Sequence, residues 1–107
     1  MASVINTVTI AGEVEPVFDL VTTARFWPQW HPATETVGGV TERPYRLADS
    51  IWERGKIASL EFQITWKVAE YLRPECVMLK CQRPPARIGY SFRGRNGLTE
   101  FQREVCL

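Results

Sequence analysis

From Leu60 to Ala69 the chain alternates apolar and polar residues. Leu60, Phe62, Ile64, Trp66 and Val68 fall on one side of an extended backbone, and Glu61, Gln63, Thr65 and Lys67 on the other. A period of two sustained over this length does not fit a helix, whose apolar stripe recurs every three to four residues; it predicts a strand with one buried and one wet face. A strand's backbone donors and acceptors need neighbours, so the rest of the chain must supply a sheet.

The flanking sequence does so. Val4 to Ile10 alternates with Val4, Asn6, Val8 and Ile10 on one face, in the β-branched composition of a first strand. Gly12 breaks it, and Glu13, Glu15 and Pro16 have the chemistry of a helix first turn. Val17, Phe18, Leu20 and Val21 then predict a short helix over 16–22 with one apolar face. Trp27 and His31 each precede a proline, which disfavours helical backbone angles and predicts a broken helical turn over 24–32. Strands are expected over 34–41, 50–55, 76–82 and 98–105, with Ile88, Tyr90 and Phe92 sharing one face of a further strand. Turns are expected at Arg73-Pro74-Glu75, at a stiff Pro84-Pro85 loop, and at Asn96-Gly97, which closes a hairpin. The order is one strand, two short helices and about six strands in an antiparallel meander, with the helices lying across one side of the sheet.

At 107 residues, 45% apolar and 23% charged, the chain is sized and composed for one globular α+β domain spanning residues 1–107. A net charge of +1 gives no global field toward nucleic acid or an anionic membrane, and DNA is not an expected partner. The charge is uneven: residues 1–75 hold seven Lys/Arg against ten Asp/Glu, and residues 76–107 hold six against two. Cys76, Cys81 and Cys106 have no metal-ligand spacing and leave one thiol over in any disulfide scheme, as in a reduced intracellular protein. The N-terminus lacks a basic region followed by a long apolar run, and the chain has no apolar stretch of the ~20 residues a spanning helix needs, so a cytoplasmic protein is expected.

Several segments together resemble the polyketide cyclase/dehydrase branch of the START-like, Bet v 1-like superfamily. They are the first strand, the helix opened by Glu15-Pro16-Val17-Phe18, the run Trp27-Pro28-Gln29-Trp30-His31-Pro32, Trp66-Lys67-Val68 followed by Arg73-Pro74, and Tyr90-Ser91-Phe92 leading to Asn96-Gly97-Leu98-Thr99. Leu98 departs from the pattern, since relatives often carry glycine before the threonine. The resemblance implies a helix-grip fold, in which a seven-stranded sheet wraps around a long C-terminal helix and leaves an apolar cavity between them. This sequence stops at Leu107, where that helix should begin. Either the chain is a shortened form or a second subunit covers the open face; association into a homo-oligomer is the working expectation, because soluble monomers rarely leave such a face bare.

Twelve aromatic residues exceed what a minimal core requires. Trp27, Trp30, Phe62, Trp66, Tyr90, Phe92 and Phe101 are expected mostly on the concave side of the sheet. Taken singly each ring is core; taken together they suit a pocket for a lipid, polyketide or aromatic molecule, with indole N–H and phenol groups as polar anchors. His31, the only histidine, belongs to the rim of that site. Arg103 shares parity with Phe101 and Arg54 with Trp52, so either guanidinium, if it faces inward, could hold a carboxylate or polarise a ketone. No catalytic set, metal cluster or cofactor motif is evident. Binding of a hydrophobic small molecule is the leading expectation, a cyclase or dehydratase using His31, Tyr90 or Arg103 is the alternative, and a protein or RNA interaction through the basic C-terminal third is the second alternative.

Overall fold

A computed structural model describes residues 3–83 and 85–106. Strand β1 (Ser3–Ala11) is followed by helix α1 (Val14–Val21), a 3-10 turn (Ala24–Phe26) and helix α2 (Trp27–Trp30). Strands β2 (Thr34–Gly39), β3 (Ser50–Ile57), β4 (Leu60–Leu72), β5 (Cys76–Gln82), β6 (Pro85–Arg95) and β7 (Leu98–Cys106) complete the chain. All seven strands form one antiparallel sheet in the order β1-β7-β6-β5-β4-β3-β2. The last six are the expected meander, and β1 adds to its far edge, running unbroken from Ser3 opposite Cys106 to Ala11 opposite Leu98. Of the expected Pro84-Pro85 loop, Pro84 lies outside the described residues and Pro85 opens β6.

Register and alternation sort the side chains onto two faces. Phe92 stands opposite Phe101, which stands opposite Val8; Tyr90 opposite Arg103, which stands opposite Asn6; and Leu79 opposite Ile88, which stands opposite Val105. This is the inner face, because α1 lies on it, with Phe18 edge-on to Phe92 at 4.9 Å. The opposite, outer face carries Lys67, Lys80 and Arg87.

Alternation changes parity within β4. A bulge between Val68 and Glu70 inserts one extra residue, so Trp66 and Val68 face inward before it and Tyr71 after it, meeting Phe18 at 5.7 Å. In α1, Val17, Phe18 and Val21 are buried, whereas Leu20, expected on the same apolar face, is 55% exposed. The hydroxyls of Thr22 and Thr23 donate to the carbonyls of Phe18 and Asp19 at 2.8 and 2.7 Å, and Tyr45 N–H donates to the Thr22 carbonyl at 3.0 Å. These bonds close the helix end and tie the loop between β2 and β3 beneath it.

Trp27 corrects the reading of its pre-proline position. Its angles, φ −53° and ψ −42°, are helical. Pro28 sits in the first turn of α2, where its missing N–H forfeits no intrahelical bond, and the pre-proline preference yields to that placement. His31, before Pro32, keeps the expected extended geometry (φ −91°, ψ 110°) and ends the helix.

Candidate functional site

Helix α2 brings the Trp27-Pro28-Gln29-Trp30-His31 run over the inner face. His31 stacks parallel on Trp27 (centroids 4.9 Å, planes 9° apart) and meets Trp30 edge-on at 4.0 Å. Trp30 reaches Phe101 at 6.0 Å, and Phe101 packs on Tyr90 and Phe92 at 5.5 and 5.1 Å. Six of the seven predicted rings thus belong to or pack against one cluster. Phe62 does not join it. It is half-buried opposite Gly55 near the β3–β4 turn.

His31 is only 6% exposed, and its Nε2 lies 3.2 Å from the hydroxyl of buried Tyr90. Burial, reinforced by the positive charge of Arg103, lowers its pKa from 6.5 to about 3, so the imidazole is neutral at physiological pH. Burial likewise pushes the Tyr90 phenol well above its ordinary value, with the nearby Arg103 guanidinium pulling partly the other way. Arg103, half-buried opposite Tyr90, is the arginine that faces inward. Arg54 does not: its guanidinium lies 5.8 Å from the Trp52 ring centre and donates to Gln63 at 3.1 Å, on the outer face.

Two further residues complete the site, and both escaped the sequence reading. Glu53 is buried on β3, where one carboxylate oxygen accepts from the Thr34 hydroxyl at 2.7 Å and the other from the Trp66 indole N–H at 2.5 Å. Its parity with Ile51 was a usable signal, since Ile51, Glu53 and Gly55 share the inward side. Tyr45 carried no such signal. It comes from a loop, is fully buried, and meets Trp27 edge-on at 6.1 Å. Burial and the neighbouring Tyr90 phenol push its pKa upward, yet its hydroxyl meets hydrogen-bond geometry with no described residue. Trp27 Nε1 and Arg103 Nε are buried without a partner in the same way.

At the centre of the inner face the space expected beside the rings is therefore taken up by Tyr45 and α2. Toward the β1 edge the same face is open: Val8 is 52% exposed although its cross-strand partner Phe101 is 6% exposed. A hollow of about 880 Å3 opens instead on the outer face beside the β5–β6 hairpin.

A family model described as polyketide cyclase / dehydrase and lipid transport matches residues 1–103. No curated protein sequence is significantly similar to the chain. Among solved structures, a START superfamily protein from Mycobacterium smegmatis is similar at 16% identity and a TM-score of 0.78, over 96% of this chain and 74% of that one. Major latex-like protein 151 from Panax ginseng gives 9% identity and a TM-score of 0.74, over 97% of this chain and 76% of that one. The di-domain ARO/CYC protein BexL gives 14% identity and a TM-score of 0.73, over 99% of this chain and 35% of its own length. At these identities the likeness establishes the shared START/Bet v 1-like fold. Among the described residues no helix exceeds the eight residues of α1, and none is long and apolar enough to cross a membrane.

Proposed function

Because the chain belongs to the polyketide cyclase / dehydrase and lipid transport family, we propose that its inner face binds a hydrophobic small molecule, a lipid, polyketide or aromatic compound, whose polar end accepts hydrogen bonds. One observation carries this reading: the Trp27 indole N–H, the Tyr45 hydroxyl and the Arg103 Nε–H are buried donors without partners, gathered around the His31–Tyr90 pair. Most buried polar groups are paired, and leaving one unpaired costs about 1–3 kcal/mol, so three around one aromatic cluster suit a carbonyl or carboxylate acceptor that enters as Tyr45 and α2 give way. The exposed strip at Val4 and Val8 on the same face offers the apolar part of the ligand its surface, and a second copy of the chain is the cover we assign to it. Three free thiols agree with a reducing compartment such as the cytoplasm. Titration with a fluorescent fatty acid and with a polycyclic aromatic should show saturable binding, weakened about tenfold or more by Arg103→Gln. Absence of saturable binding to either probe rejects the reading.

A neutral His31 within 3.2 Å of the Tyr90 hydroxyl supports a second reading, an enzyme of the cyclase or dehydratase kind in which this pair moves a proton of the bound molecule. His31→Gln and Tyr90→Phe would then lower turnover of a polyketide substrate while leaving its affinity in place. Unchanged turnover dismisses the enzymatic role and leaves binding.

A further inference from the structure

The outer face holds a row of aligned residues that runs across six strands: Ser50 opposite Lys67, Lys67 opposite Lys80, Lys80 opposite Arg87, Arg87 opposite Cys106, and Cys106 opposite Ser3. Three cations therefore occupy consecutive rungs on strands about 4.8 Å apart. Like charges set directly opposite one another destabilise a sheet, and such rows ordinarily carry alternating signs. Here, among the described residues, none of the three pairs with a carboxylate; the ion pairs of the chain lie elsewhere, at Arg25, Arg43 and Arg73.

This row borders the 880 Å3 hollow, to which the β5–β6 turn adds Arg83. Among the described residues four cations and no acidic side chain line it, in a protein whose net charge is only +1. Hydroxyl and amide groups of Ser50, Thr65, Gln63 and Gln82 stand beside the cations, while Ala69 and Pro85 supply apolar wall. The basic patch is compact. The next aligned row on the same face sets Glu70 opposite Met78, Met78 opposite Gly89 and Gly89 opposite Glu104, so carboxylates bound it. A long polyanion would lie across those carboxylates; a small, multiply charged group would not.

We infer that this outer-face hollow is a binding site for a phosphate-bearing organic molecule, its phosphate held between Lys67, Lys80 and Arg87 and its organic part against Ala69 and Pro85. The site is separate from the inner face and independent of the ligand assigned there. The same chemistry could be presented by a free organophosphate or by a lipid headgroup.

Pyrophosphate titrated calorimetrically into the full chain at low salt tests the inference. Saturable binding is expected, weakened about tenfold or more in Lys80→Gln/Arg87→Gln and unchanged in Arg95→Gln, which lies outside the hollow. The double variant removes repulsion between neighbouring rungs, so it should melt at or above the parent temperature, and pyrophosphate should raise the melting temperature of the parent alone. Sedimentation with phosphatidylcholine vesicles doped with phosphatidic acid separates the sources: co-sedimentation lost in the double variant assigns a lipid headgroup, and pyrophosphate binding without co-sedimentation assigns a free molecule. No saturable pyrophosphate binding, or equal affinity in the double variant, overturns the site.

Discussion

His31 shows how one residue's surroundings fix its chemistry. Sandwiched against Trp27 and Trp30 and facing the positive charge of Arg103, its imidazole loses more by protonation in the fold than in the unfolded chain. The unfolded histidine takes up a proton near pH 6.5, the folded one only near pH 3. Between those values the unfolded state binds the extra proton, so the stability His31 contributes is complete above 6.5 and drains away as the pH falls toward 3. By about pH 4.5 the loss should reach roughly 2–3 kcal/mol. Denaturant unfolding of the parent and of His31→Gln at pH 7 and about pH 4.5 reads it directly: the parent should lose this amount more than the variant. Equal losses would place the imidazole in contact with solvent.

Among the elements, β4 shows both the reach and the limit of pattern reading. Strict alternation from Leu60 to Val68 marked the strand and its inward side. The bulge after Val68 was invisible, because an extra residue shows only when the partner strand is known; it hands the inward position to Tyr71 and turns Leu72 out. Parity likewise named the side on which Tyr90, Phe92 and Phe101 lie, but the placement of Tyr45 depended on a backbone bond from its loop to Thr22, and nothing local in sequence encodes that. The β6–β7 hairpin is the opposite case, set by two residues. Asn96 and Gly97 both have positive φ, 50° and 75°, the requirement of the two-residue turn that matches strand twist. Gly97→Ala should cost about 1 kcal/mol, roughly 4–8 °C in melting temperature, without changing the strands; no shift would show that the register of β7 against β1 and β6 holds the turn by itself.

At the scale of the molecule, the inner face is covered unevenly. Phe18 packs on Phe92 and Trp30 on Phe101, and both phenylalanines are buried as in a core, while Val4 and Val8, on the same face of the next strand, stay more than half exposed. Truncation in the covered region, Phe101→Ala, should therefore cost about 3–5 kcal/mol, as for a packed aromatic. Substitution in the uncovered region should behave as a surface change: Val4→Lys/Val8→Lys should leave the thermal midpoint nearly in place, within about 0.5 kcal/mol for each site. The same double variant bears on the proposed function, because the strip it alters is where the apolar part of a ligand and a second copy of the chain would both rest. Saturable uptake of the fatty-acid probe should fall sharply in the variant, and any concentration-dependent dimer seen in parent sedimentation should disperse. If the lysines instead unfold the protein, the strip is core; if probe uptake is unaffected by them, the ligand lies elsewhere on the inner face.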